Sequence, residues 1–117
     1  MTCKPGDLVG IPFPYSDLTT KKRRPVLVVT VPDRHDDFMG LAVTSVETEE
    51  SAIAIVEGDM ETGSLPRKSW IRYDKLFTLS SGIVLKTYGS IKDRLRQTVM
   101  EDLCRYLGCD TENKPKT

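Results

Sequence analysis

A chain of 117 residues carrying 17 Lys plus Arg against 17 Asp plus Glu has no net charge. Bulk charge therefore argues neither for nor against a nucleic-acid partner, and the length is that of one domain with a single core. Cys3, Cys104 and Cys109 are odd in number and lack CxxC spacing, so no disulfide scaffold or zinc site follows, and a reducing compartment is the natural reading. No charged-then-apolar leader and no apolar run of membrane-spanning length is present, so a cytoplasmic protein with no membrane partner is expected.

The first two-thirds of the chain reads as β. The stretch 7–13 puts Val9, Ile11 and Phe13 on one face and is closed by Pro14. The run 24–31, "RPVLVVTV", has the pattern of a strand buried on both faces. Strands are also predicted at 40–46, 51–56, 69–79 and 82–89, with short connections holding Pro14, Pro32, Gly58, Gly63, Pro66 and Gly82. Six strands with no helix between them predict a mainly β fold, a small antiparallel barrel or sandwich. From Ser90 the period changes: Ile91, Leu95, Val99, Leu103 and Leu107 recur at four-residue steps. One amphipathic C-terminal helix is expected, with Ser90 and Asp93 as a capping-box pair and Gly108 as its stop. The core is expected over about 6–108, with 110–117 a polar tail.

Charge is segregated although it sums to zero. Nine acidic residues and one basic residue, Arg34, lie between Asp33 and Glu61, whereas cations gather at 21–24, 67–75 and 86–96. Such a chain can present a basic face, because steering follows the local field. A solvated set of loops and strand ends is the ordinary alternative.

The motifs that would carry other chemistries are missing. His35 is the sole histidine, so no mechanism can draw two from one chain, and a single loop histidine is usually solvated. Neither GxxxxGK[ST], HExxH nor an EF-hand spacing occurs, and Asp36 with Asp37, which could contact a metal in principle, is explained equally well by an acidic turn. No cofactor and no metal is expected. Three features stand out. Arg24 opens a buried strand, where Pro25 restricts its backbone. Thr44 and Ser45 interrupt an apolar strand. Arg72 and Asp74, two apart, share a strand face at about 7 Å. Each also has an ordinary reading: a loop cation, a good strand former, a same-face ion pair.

The segments "GDLVGIPFPYSDLTTKKRRPVLVV", "LAVTSV", "GSLPRKSWIRYDKLFTL" and "GSIKDRLRQTVMEDLCRYLG", running from Gly6 to Gly108, together resemble the MazF/PemK toxins of type II toxin–antitoxin systems. The resemblance implies a small SH3-like antiparallel β-barrel of the CcdB/Kid/MazF type with a C-terminal helix, usually a homodimer. It also implies a sequence-selective, metal-independent endoribonuclease. Such toxins cut single-stranded RNA, often mRNA. A cognate antitoxin with a flexible acidic tail holds them inactive, and any operator DNA is bound only as the complex with that antitoxin. The family's Arg-Pro arginine carries over to Arg24, its Thr-Ser threonine to Thr44, and the Arg-x-Asp of its Kid-like branch to Arg72 and Asp74.

RNA supplies its own nucleophile, the 2′-OH beside the scissile phosphate. On the resemblance, Asp74 is the general base, with Asp17 of the first loop as the alternative. Arg24 stabilises the phosphorane, Arg72 adds a second cation or acts as acid, and Thr44 hydrogen-bonds the phosphate or the 2′-OH. Lys21, Lys22 and Arg23 are expected to form a cationic lip that gathers RNA, joined by Ser45, Arg67 and Lys68. The products would be a 2′,3′-cyclic phosphate and a 5′-OH. The rival readings are a non-catalytic CcdB-like gyrase poison and an SH3-like nucleic-acid or protein-binding module. Neither requires Arg24, Thr44, Arg72 and Asp74 together.

Overall fold

The computed structural model describes residues 3–12 and 23–109. Seven strands, β1 (Asp7–Pro12), β2 (Arg23–Val28), β3 (Asp37–Thr44), β4 (Ala52–Ile55), β5 (Met60–Gly63), β6 (Ser69–Ser80) and β7 (Lys86–Ile91), precede one helix, α1 (Asp93–Leu107). They form one antiparallel sheet in the order β4-β6-β3-β2-β1-β7-β5. The edge strands β4 and β5 are consecutive in the chain, joined by the turn at 56–59. Bringing both edges of a seven-strand sheet to one short turn requires the sheet to curl, and the result is a half-barrel with the helix packed on it. The expected mainly β fold with a C-terminal helix is therefore what the chain adopts.

Side-chain alternation gives the curled sheet two buried faces. Leu8, Leu27, Leu41, Val43, Ile55, Ile71 and Ile91 meet Leu95, Val99 and Leu103 of the helix. Val9, Ile11, Val26, Val28 and Phe38 pack on the other face with Cys3, and Phe77, Leu79 and Val84 lie against them. Strand β2 contributes Leu27 to one cluster and Val26 and Val28 to the other, as its unbroken apolar run predicts. The two faces need a tight centre. At Gly40 a Cβ would sit 2.4 Å from Val26 Cγ1, so no larger residue fits there without displacing the Val26 side chain.

Four expectations are corrected. The helix starts at Asp93 behind an N-cap at Lys92 that makes no side-chain cap. Ser90 and Ile91 instead end β7, where the Ser90 amide donates to Thr62 Oγ1 at 3.1 Å. The four-residue period continued one turn too far back because a buried strand end and a helix face both supply an apolar residue. Leu107, at the other end, is exposed, whereas Gly108 closes the helix in the left-handed conformation with φ 91° as expected. The segment 82–89 divides into a 3₁₀ turn at Ser81–Ile83 and β7. Strand β5, "METG", was not predicted, because it is short, polar and mostly exposed at the sheet edge. Its Gly63 pairs with Gly89 of β7, and a Cβ on either would lie 2.0–2.1 Å from a carbonyl oxygen of the facing strand. That close backbone approach, with Met60 packed against the helix-side cluster, holds the edge.

Candidate active site

Strand parity places the site. Arg24 lies two residues before Val26 on β2, and Val26 pairs with Ala42 on β3. Extending that register by two residues sets Thr44 across from Arg24, on the same face. Arg24 is flanked on its other side by Ile11 of β1. On β6, Ile71 belongs to the helix-side cluster, so Arg72 points to the opposite face, the one that carries Arg24 and Thr44. Arg24, Thr44 and Arg72 line one cavity of about 420 Å³ with Pro25, Val26, Ala42, Val43, Lys75 and Phe77.

Asp74 is not among the residues lining that cavity. It holds Arg72 from the side: Arg72 Nε donates to Asp74 Oδ1 at 3.2 Å and Nη2 donates to Oδ2 at 3.0 Å. The pair is partly buried, with side chains 31% and 19% exposed. A bidentate carboxylate fixes the guanidinium plane. It uses two of the five N–H groups of Arg72, leaving three for other acceptors, and each oxygen of Asp74 retains a lone pair.

The pair lies where the β3–β6 ladder is broken. Leu41 pairs with Leu76, but Val43 pairs with Ile71, so four residues of β6, 72–75, stand opposite the single Ala42. This wide bulge re-aims Arg72, Asp74 and Lys75. Its backbone is caught on the far side by β4, through the Arg72–Ala52 pairing and the Tyr73 amide donating to the Ser51 carbonyl at 3.1 Å.

Thr44 ends β3. Its Oγ1 accepts the Val46 amide at 3.1 Å, which orients the hydroxyl and starts the turn after the strand. Among the described residues its O–H has no acceptor, so that hydrogen can serve a ligand. Ser45 faces the other way and lines a second cavity, of about 220 Å³, with Arg23, Arg24, Pro25, Val43, Pro66, Arg67, Ser69 and Tyr88. Lys68 stands 5.6 Å from the Trp70 ring centroid and lines a third cavity of about 490 Å³ with Arg67. Asp17, Lys21 and Lys22 lie outside the described residues.

Two residues were missed. Lys75 lines the Arg24 cavity, and Trp70 is the partner of Thr44 in the β3–β6 ladder. Counting by two from Arg72 finds Trp70 on the same face, and it is the only tryptophan. Lys75 had no signal, because the bulge breaks the period that would have placed it. His35 is exposed in the turn where Asp33 Oδ1 accepts the His35 and Asp37 amides at 2.8 and 3.0 Å. Those two amides hold the Asp33 carboxyl below its usual value. Among the described residues no group of three or more His, Cys, Asp or Glu side chains could hold a metal ion, and no helix is long and apolar enough to cross a membrane.

The half-barrel is the fold of MazF-type toxins. A solved endoribonuclease in complex with its cognate antitoxin, from Mycobacterial species, superposes with a TM-score of 0.72 at 18% identity, over 92% of this chain and 97% of that one. A MazE–MazF structure from Deinococcus radiodurans gives the same values. The Mycobacterium tuberculosis toxin MazF-mt6 superposes with a TM-score of 0.64 at 14% identity, over 85% of this chain and 93% of that one. No curated relative matches the chain. The sequence itself matches the family model described as PemK-like, MazF-like toxin of type II toxin–antitoxin system over residues 4–107, and the chain belongs to that family.

Proposed function

We propose that this toxin is a metal-independent endoribonuclease that cuts single-stranded RNA at selected sequences, leaving a 2′,3′-cyclic phosphate and a 5′-OH. The observation that carries the reading is the convergence of Arg24, Thr44 and Arg72 on one cavity, with Asp74 gripping Arg72 at 3.0 and 3.2 Å. Two guanidinium groups and a hydroxyl on one concave surface suit a phosphodiester, whose charge grows as the phosphorane forms. Solved neighbours of the same fold include one named an endoribonuclease and bound to its antitoxin.

In the reaction, Arg24 faces the phosphate and takes up the added negative charge. Thr44 donates its O–H to a phosphate oxygen or positions the 2′-OH. Asp74 accepts the 2′-OH proton through a lone pair not committed to Arg72, and the 2′-oxygen attacks phosphorus in line as the P–O5′ bond breaks. The 5′-oxygen leaves with a proton. Arg72 is a reluctant acid, since guanidinium holds its protons tightly. Its held orientation fits electrostatic support of the leaving oxygen, with the proton coming from water or from Arg72 itself. Asp17 remains the alternative base. Arg23, Lys21, Lys22, Ser45, Arg67 and Lys68 supply the RNA-binding surface. A homodimer and an antitoxin whose acidic tail competes for that cationic surface complete the reading, and the complex of the two would bind operator DNA.

The test is purified toxin with mixed-sequence single-stranded RNA in EDTA. Cleavage with cyclic-phosphate ends, abolished in Arg24→Ala, is expected. Activity that disappears in EDTA and returns with a divalent cation would overturn the metal-free mechanism. Inhibition of supercoiling by gyrase with RNA left intact would establish the CcdB-like reading instead.

A further inference from the structure

The cavity of about 220 Å³ beside the candidate active site is lined by three guanidinium-bearing residues, Arg23, Arg24 and Arg67, and by no carboxylate. Among the described residues neither Arg23 nor Arg67 pairs with an acid. Its walls are fixed. Ser69 is buried at 4% exposure, and its Oγ donates to the Arg67 carbonyl at 2.8 Å, pinning the backbone that carries Arg67. Pro25 and Pro66 stiffen the rim on either side. Arg24, Pro25 and Val43 line both this cavity and the one shared by Thr44 and Arg72. The two spaces therefore meet at the start of β2, on opposite faces of the sheet.

Resting on the RNA-cleavage reading above, we propose that this cavity seats a second backbone phosphate of the RNA, held by Arg23, Arg67 and the Ser45 hydroxyl. The RNA strand then turns over the end of β2. Like cations around a small cavity repel one another, and an anion between them relieves that repulsion while accepting charge-assisted hydrogen bonds. A neutral nucleobase would offset the charge of such a cation-rich lining less well, because it brings no negative charge of its own. The subsite therefore fixes register on the backbone and carries no sequence information of its own.

The experiment uses the full chain and a set of fluorescent 2′-O-methyl oligoribonucleotides of different sequence, which lack the nucleophile and cannot be cut. Binding is followed by anisotropy between about 50 and 200 mM salt, for wild type, Arg67→Gln, Arg23→Gln and, as a control on the outer helix surface, Arg94→Gln. Each of Arg67→Gln and Arg23→Gln is expected to weaken every oligonucleotide by a similar factor, roughly 3–10-fold at low salt. The salt slope should become shallower by about 0.7 per lost contact, with Arg94→Gln unchanged. A loss confined to oligonucleotides with one base at one position would overturn the proposal in favour of base reading. An unchanged slope in both variants, or a wild type that binds none of the oligonucleotides, would also overturn it. Wild type that binds with the expected slopes but leaves unmodified RNA uncut would refute the cleavage reading and leave the phosphate seat standing.

Discussion

Asp74→Asn separates chemistry from architecture. The substitution keeps the side-chain shape but removes the charge that holds Arg72 at 3.0 and 3.2 Å. The pair is 31% and 19% exposed, so water screens it and can replace part of what is lost. The stability cost is accordingly small, about 0.5–1 kcal/mol, a shift of a few degrees in Tm. Loss of a general base costs about 10²–10⁴ in rate, which is about 3–5 kcal/mol of barrier. The expected result is thus a folded protein, nearly as stable as wild type, that cuts RNA at least a hundredfold more slowly. Single-turnover cleavage at saturating RNA gives the rate, and quenching of Trp70, the only tryptophan, reports binding. If Asp74 only orients Arg72, then Asp74→Asn, Arg72→Ala and the double variant will lose similar amounts and fail to add. A rate loss below tenfold, or an acidic limb of the pH–rate profile that persists in Asp74→Asn, would refute Asp74 as base and direct attention to Asp17.

Three further outcomes follow from the same structure. Val99 is fully buried between helix and sheet, so Val99→Ala should cost about 2 kcal/mol in urea denaturation from lost methyl burial and the cavity left behind. Gly89→Ala would drive a Cβ to 2.1 Å from the Thr62 carbonyl at φ 153°; β5 should detach, seen as fast amide exchange confined to β5 and β7 with Tm lowered. Burial raises the Cys3 thiol above its ordinary value, with the nearby Ser81 hydroxyl opposing the shift. Its contribution to stability is therefore whole below about pH 8.5, the value of an unfolded cysteine, and is lost as pH rises through the folded value. Cys3→Ala should flatten the alkaline fall of the stability–pH curve, and iodoacetamide should label exposed Cys109 well before Cys3.

The fold was legible wherever burial imposed a period. Leu27 with Val26 and Val28 announced a strand covered on both faces, and Leu95, Val99 and Leu103 marked the buried stripe of the helix. Strand β5 was invisible because only Met60 packs on the core and the rest of the strand rests on a backbone approach at Gly63 and Gly89, too little for a hydrophobic pattern. At the site, Arg24 could be singled out as a cation opening a buried strand, Thr44 as a polar residue within an apolar one, and Arg72 with Asp74 by two-residue spacing. That Arg24 faces Thr44 depends on the β2–β3 register, and register belongs to the pairing of distant segments. The wall formed by Lys75 depends on a bulge that no local signal marked.

That bulge also explains why the site lies where it does. A regular β6 would place one residue opposite Ala42; here four stand there, at 72–75. Their ladder bonds to β3 are forgone, and leaving such groups dry would be costly. Strand β4 offsets part of that loss, pairing Ala52 with Arg72 and taking the Tyr73 amide on the Ser51 carbonyl. The short β4 edge is therefore a structural requirement of the Arg72–Asp74 pair, although none of its residues lines the Arg24 cavity. The other half of the site rests on β2, whose Val26 to Val28 are buried on both faces. One cation sits at the end of the most constrained strand, and the other on the most distorted strand. The first stands where Val26 to Val28 lock the strand behind it into the sheet. The second stands on backbone released from β3, and there the carboxylate of Asp74 fixes its guanidinium plane.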